Sequence, residues 1–179
     1  NITDTAPLQT PTITFRVTVN GMGRDIIASP LGTLRATFAG PNTDYARYWQ
    51  PTITGPTLVP VNAAAGEFRF TVPAAAAIPA DATGSYTVGL EGSLTVGTAR
   101  AAAENPVLYF AVTDAAPQPR RAVAGEEQCN NCHFQLAAHG GLRPTPQYCI
   151  LCHNPNKPGE ERAARVESST ITIESVDFK

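Results

Sequence analysis

The sequence predicts a mainly β N-terminal domain over residues 1–115, a linker over 116–122 and a small domain of short helices and irregular chain over 123–179. Three observations carry this prediction. Apolar and polar residues alternate with a period of two in several stretches of the first region. The 179 residues include 14 glycines and 16 prolines, which disfavours long helices. All four cysteines fall between Cys129 and Cys152, which sets the end of the chain apart from the rest.

The strands are predicted from apolar residues at alternate positions, which is the pattern of a half-buried strand. These positions are Ile13/Phe15/Val17/Val19, Leu34/Ala36/Phe38, Phe68/Phe70/Val72, Tyr86/Val88/Leu90 and Leu94/Val96. Residues 20–23 are predicted to form a turn, and the apolar run Val107–Val112 is predicted to be a more central strand. Ala74–Ala77 favours a helix, but the flanking prolines limit it to about one turn. About seven short strands with glycine and proline turns predict a sandwich or an open barrel.

The C-terminal region has too few large apolar residues to form a core of its own. Residues 116–122 contain two prolines and no periodic apolar face, which is typical of a linker, and Arg120 and Arg121 are expected to be solvated. The region beyond has fewer than 60 residues, and those cannot bury enough surface to offset the loss of chain entropy. A cofactor is therefore expected to supply this core.

The four cysteines form two C-x-x-C pairs, Cys129/Cys132 and Cys149/Cys152, and each pair is followed at once by a histidine. The sixteen residues between the pairs fall within zinc-ribbon spacing, and two disulfides in an exported protein are a second alternative. A four-cysteine zinc site, however, needs no histidine. C-x-x-C-H is the attachment motif of haem c, so the sequence predicts two covalent haems, with His133 and His153 as proximal iron ligands.

His139 is the third and last histidine, and it is predicted to be the distal ligand of the haem on Cys149/Cys152. On a helix, six residues from His133 correspond to about 9 Å of rise and about 120° of rotation, a poor arrangement for gripping both faces of one porphyrin. Beyond the flexible Gly140-Gly141, His139 can reach the second haem more easily. The alternative is a solvent-exposed histidine at a helix end.

Two six-coordinate irons need four axial ligands, and the chain holds three histidines. One iron is then left open or takes another ligand, for which Met22, Lys157, Lys179 and the Asn1 amine are candidates. Electron transfer requires closely spaced redox centres, and two haems anchored 20 residues apart in the sequence meet that requirement, so electron relay is the predicted function. Two other functions stay open beside it. One is a dihaem enzyme that reduces peroxide or a nitrogen oxide at an open iron, and the other is a structural module that docks neighbouring cytochromes.

Composition excludes several other classes. A formal net charge of −2 gives no electrostatic case for a nucleic-acid partner. No apolar run approaches the roughly 18 residues that would span a bilayer, so no transmembrane segment is predicted. No secretory signal is visible at Asn1, but a mature exported protein has already lost its signal. Because thioether attachment of haem takes place outside the cytoplasm, an exported protein is predicted.

The chain resembles the outer-surface multihaem cytochromes of the OmcA/MtrC type. The resemblance is strong from Cys129 to Pro155, through the two haem motifs and His139-Gly-Gly-Leu-Arg143, and weaker at Phe15–Val19, Tyr48-Trp49-Gln50 and Ser175–Lys179. It implies a split β-barrel that leads into a multihaem domain, on an exported protein that passes electrons between haems, either at the outer surface or in the periplasm. It also implies partners: other multihaem cytochromes or further copies of this chain, and an extracellular mineral or soluble shuttle as acceptor. Members of the family continue into further haem motifs, so we expect either a fragment of a longer cytochrome or a short member.

Overall fold

The structure is a computed structural model, and it describes residues 1–132, 136, 138–154 and 156. It is mainly β, as predicted. The described strands are β1 Ile2–Thr3, β2 Thr12–Arg16, β3 Thr18–Val19, β4 Met22–Gly23, β5 Thr33–Gly40, β6 Arg47–Trp49, β7 Leu58–Asn62, β8 Glu67–Thr71, β9 Ser85–Val96, β10 Ala99–Ala102 and β11 Val107–Ala111. The described α-helices are α1 Glu126–Asn130 and α2 Pro146–Cys152.

The strands form two main sheets and one short hairpin. The first sheet has the order β1-β2-β8-β7. The second has the order β10-β9-β5-β6, and β11 also pairs with the long strand β9. The hairpin of β3 and β4 turns at Asn20 and Gly21, which have φ of 51° and 78°. The predicted turn is confirmed at these two residues, whereas Met22 and Gly23 belong to strand β4. These positive φ angles match the right-handed twist of the flanking strands.

One apolar core lies between the two main sheets. Its buried members are Ile13, Ala36, Phe38, Ile53, Phe70, Val72, Ile78, Ala82, Tyr86, Val88 and Phe110. At its edge, Trp49 stacks on Phe38 with ring centroids 5.2 Å apart, and its indole N–H donates to the Ala76 carbonyl. Seven residues of the predicted alternating stretches belong to this core, namely Ile13, Ala36, Phe38, Phe70, Val72, Tyr86 and Val88. Val96, at the end of one such stretch, is exposed instead. The two packed sheets confirm the predicted β fold.

Several predicted elements differ in detail. The alternating stretches at Tyr86–Leu90 and Leu94–Val96 form a single strand of twelve residues, β9. Strand β11, predicted to be central, pairs only with β9 among the described strands and lies at an edge. The alanine run forms a single 3-10 turn, Ala74–Ala76, because prolines bracket it.

The predicted linker is held against the five-stranded sheet. The Asn42 side chain donates to the Gln118 carbonyl at 2.6 Å, and the Gln118 amide donates to Ser85 Oγ at 2.9 Å. Arg120, expected to be solvated, is 8% exposed, and its guanidinium lies 3.6 Å from Asp44 and 5.0 Å above the Tyr45 ring. The expectation for Arg120 was wrong because an arginine next to a sheet can pair with an acid and an aromatic face at once. The domain boundaries at 115 and 122 stay predictions.

Candidate haem site

Helix α2 places both cysteines of the second motif beside a buried face. Pro146 occupies its first turn, where the missing N–H costs no hydrogen bond and φ is already suitable for a helix. Tyr148 and Leu151 are 1% and 0% exposed. Cys149 directly follows Tyr148, and Cys152 directly follows Leu151. The two thiols therefore lie together on the helix face next to the buried one. Docking α2 therefore also fixes the direction of its two thiols.

Helix α2 rests on the outer face of the five-stranded sheet, which is the face that points away from the sandwich core. Thr37 of β5 and Gly89 of β9 are register partners on this face. The Tyr148 hydroxyl lies 2.7 Å from Thr37 Oγ1, and a Cβ added to Gly89 would lie 2.5 Å from the Tyr148 ring and 2.9 Å from Leu151. The missing side chain at Gly89 thus makes the space that the helix occupies.

We expect Gly89→Ala to reduce the free energy of unfolding by about 1–3 kcal/mol, because the added methyl overlaps the buried Tyr148 ring, whose hydroxyl is hydrogen-bonded to Thr37. Gly92→Ala on the same strand is the matched control, since its Cβ would meet the Leu31 and Leu34 side chains and the Thr33 carbonyl oxygen at 3.6–3.8 Å, which are ordinary contact distances. Urea unfolding followed by near-UV circular dichroism measures both variants. Equal stabilities of the two variants would contradict this account of α2 docking.

The four thiols differ in exposure. Cys149 and Cys152 are half-buried, as is Cys129, whereas Cys132 is exposed, and none of the four is in a disulfide. Burial raises the pKa of the Cys152 thiol to about 11 and raises the pKa of Cys149 as well. The Gln50 side chain lies 3.9 Å from Cys152 Sγ and also donates to Thr37. Within the described part of the chain, there is no cluster of three or more His, Cys, Asp or Glu side chains that could bind a metal ion.

Helix α1, which carries Cys129, is bound less firmly than α2. It has no buried residue, and its first turn is closed by the Gln128 side chain, which accepts from the Gly125 N–H at 2.8 Å. Gln147 of α2 donates to the Ala124 carbonyl at 3.1 Å, so the two cysteine helices are neighbours. The haem motif on α1 therefore depends on fewer protein contacts.

The structure brings two of the three predicted iron ligands together. His153 is the residue at the C-terminal end of α2, and its ring centroid lies 5.8 Å from that of His139, with the planes tilted by 35°. A metal–nitrogen bond of about 2 Å, plus about 1 Å from nitrogen to ring centre, places two imidazoles on opposite sides of one metal about 6 Å apart. The residues present therefore fit a haem held between His139 and His153. His133, Lys157 and Lys179 lie outside the described residues.

His139 is carried by a short loop, residues 138–143, which we call the histidine loop. Ala138 and Arg143 close the loop with two backbone hydrogen bonds of 3.2 Å. His139 has a φ of 53°, and the next two residues, Gly140 and Gly141, also have positive φ. A left-handed conformation costs a non-glycine residue about 1–2 kcal/mol, so contacts elsewhere must hold the loop.

An ion pair joins this loop to the sheet, and nothing in the sequence pattern predicts it. Arg143 Nε lies 2.5 Å from Glu91 Oε2, and the two side chains are only 14% and 2% exposed. The guanidinium also lies 5.8 Å from the centre of the Tyr148 ring. Burial lowers the pKa of Arg143, but the hydrogen bond and charge of Glu91 outweigh it and leave that pKa raised. Arg143 therefore stays charged beside the second cysteine pair.

Comparison with known proteins finds a curated relative that is a multihaem cytochrome, and it finds solved structures of such cytochromes. No protein-family model matches the chain. The multiheme cytochrome MtrC of Shewanella baltica (strain OS185) is 42% identical over 53 residues, which are 28% of this chain and 8% of the relative. The crystal structure of MtrC from Shewanella baltica OS185 superposes with a TM-score of 0.54 at 20% identity, over 96% of this chain and 33% of that one. The chain has the fold of MtrC.

The resemblance to the OmcA/MtrC-type cytochromes is thereby confirmed. The outer membrane decaheme cytochrome OmcA is similar as well, with a TM-score of 0.47 at 18% identity over 83% of this chain and 26% of that chain. This chain spans about a third of the solved MtrC chain. Among the described residues, no helix is both long and apolar enough to cross a membrane.

Proposed function

We propose that this chain is an exported c-type cytochrome that carries two covalent haems and relays electrons to other redox proteins or to an extracellular acceptor. One haem is attached through Cys129 and Cys132, and the other through Cys149 and Cys152. The observation that carries the proposal is the doubled C-x-x-C-H motif, with the second copy on a docked helix and His139 opposite His153. Haem supplies one-electron chemistry when it is bound, and the protein supplies attachment, ligation and burial.

Different residues of the chain are proposed to attach the haems, to ligate the irons and to hold the second attachment site in place. The cysteines are proposed to form the thioether bonds, and His133 and His153 to be the proximal ligands. His139 is proposed as the distal ligand of the Cys149/Cys152 haem. Tyr148 and Leu151 hold α2 against the sheet and so keep the second attachment site in a fixed direction. The β sandwich, proposed as a domain of its own over 1–115, is then the scaffold for the haem segment.

Export and partners follow from the same chemistry. Thioether attachment outside the cytoplasm supports a location at the cell surface or in the periplasm. The curated relative is named a multiheme cytochrome, which supports other multihaem cytochromes, or further copies of this chain, as partners. A mineral or a soluble shuttle is the proposed extracellular acceptor.

The test is to express the chain with and without an export signal in a host that matures c-type cytochromes. Exported protein should have the sequence mass plus two haems, and acid–acetone should leave the red chromophore on the polypeptide. Protein retained in the cytoplasm should carry little haem. Pigment released by acid–acetone, or stoichiometric zinc by metal analysis, would show that the cysteines do not form thioethers.

A dihaem enzyme is the second candidate, and the count of three histidines for four axial positions favours it. The reduced 179-residue chain should then bind carbon monoxide at one haem only, the one on Cys129/Cys132. Turnover of peroxide or a nitrogen oxide that carbon monoxide inhibits would support the enzyme. Carbon monoxide binding without turnover would support the relay.

A further inference from the structure

We propose that Glu91 and Asn105 position His139 as an iron ligand, by holding the histidine loop against the five-stranded sheet. The proposal rests on the proposed function, because His139 acts as a ligand only when haem is bound at Cys149/Cys152. Both residues are far from His139 in sequence, and both are almost completely buried, at 1% exposure each. They are positioning residues, since they act through the loop and not on the iron.

Glu91 fixes the C-terminal end of the histidine loop. It lies on β9, two positions after Gly89, and therefore on the same face of the sheet as the docked helix. Its carboxylate accepts from Arg143 Nε, and Arg143 is the residue whose backbone closes the loop on Ala138. A carboxylate buried to this extent requires a partner, and Arg143 provides it.

Asn105 fixes the adjacent residue of the loop. Its side-chain nitrogen donates to the Leu142 carbonyl at 3.1 Å and to the Leu90 carbonyl at 3.4 Å. One amide thus links the loop to the strand that carries Glu91. Two neighbouring loop residues, Leu142 and Arg143, are therefore held by the sheet region through independent contacts.

These contacts matter because of the conformation at the other end of the loop. His139 and the two following glycines all have positive φ, a combination that a free loop of this composition would seldom keep. With both anchors in place, the His139 ring faces His153 at 5.8 Å. Without them, the loop gains conformational freedom, and the population with His139 in reach of the iron falls.

The experiment uses the full haem-loaded chain with Glu91→Gln and, separately, Asn105→Leu. The first removes the charge and keeps the shape, and the second removes the amide donors and keeps the volume. Asp81→Asn is the matched control, because Asp81 also pairs with an arginine, Arg47, but is 69% exposed and lies outside the loop contacts. The readouts are the ferric EPR spectrum and carbon monoxide binding after reduction, each with and without added imidazole.

We expect Glu91→Gln to lower the ratio of ligated to open iron at the Cys149/Cys152 haem by about tenfold, the effect of losing one buried charge-assisted hydrogen bond. Asn105→Leu should lower the same ratio by about fivefold, because the bonds from Asn105 to the Leu142 and Leu90 carbonyls join neutral groups. Added imidazole should restore the low-spin signal, and Asp81→Asn should match the unaltered chain. Unchanged spectra in both variants would overturn the proposal. So would a high-spin signal that imidazole does not restore, since that would mean collapse of the site and not loss of a positioned ligand. An unaltered chain without covalent haem would overturn the proposed function itself.

Discussion

Replacing Cys129 and Cys132 together by alanine is expected to reduce the haem content from two per chain to one, with the remaining haem on Cys149/Cys152. In the proposed arrangement each haem is attached by its own pair of thiols, so loss of one pair would leave the other chemically intact. Helix α2 is held by Tyr148 and Leu151, which do not depend on α1. The ratio of pyridine haemochrome to protein, together with the intact mass, measures the change.

The complementary variant, with Cys149 and Cys152 replaced, is the matched control. It should also retain one haem, but α2 should stay docked through its buried residues. Helix α1 has no buried residue, so cleavage by a glutamate-specific protease at Glu126 and Glu127 should accelerate mainly when the first pair is lost. Loss of both haems from either variant would show that the two attachment sites do not form independently.

The inner faces of the sheets could be predicted because their signal is local. Phe38, Val88 and Phe70 recur at alternate positions within their own strands, and each faces the core. The turn at Asn20-Gly21 and the break at the alanine run are equally local, since both depend on residues next to them in the chain.

The outer face of the five-stranded sheet could not be predicted in the same way. Thr37, Gly89 and Glu91 alternate with core residues and therefore have the pattern of a solvent-facing side. In the structure they are buried because α2 and the histidine loop, at least 47 positions further along, cover them. Burial of a strand's second face depends on such non-local partners, and a period-two pattern contains no information about them.

The candidate site also contains both kinds of residue, those with a local sequence signal and those that depend on non-local contacts. The cysteines and their adjacent histidines have a local sequence signal, since the motif occupies five consecutive residues, and their roles in holding haem stay predictions. The approach of His139 to His153 supports the predicted pairing but depends on a loop that the sheet holds. Glu91 and Asn105 have no sequence signal of their own here, and Arg143 stands out only as part of the motif that carries the family resemblance. A charged or amide residue becomes a positioning residue only through its tertiary contacts.

His139→Ala is expected to open the iron of the Cys149/Cys152 haem and leave the other haem unchanged. His153, at the end of α2, is the proposed proximal ligand, and His139 is the histidine that lies beside it among the described residues. Alanine has no donor atom, so the ferric haem should change from low-spin to high-spin. After reduction, carbon monoxide binding at this haem should rise from almost none to stoichiometric.

The assignment is clearest when His139→Ala is combined with each cysteine pair variant in turn. In the chain that retains only the Cys149/Cys152 haem, the histidine replacement should produce the high-spin signal and carbon monoxide binding, and added imidazole should reverse both. In the chain that retains only the Cys129/Cys132 haem, the same replacement should change neither signal, since His133 and not His139 is the expected ligand there. The opposite result would assign His139 to the first haem. The 5.8 Å approach of the His139 and His153 rings would then be a contact between ligands of two different haems and not a pair across one iron.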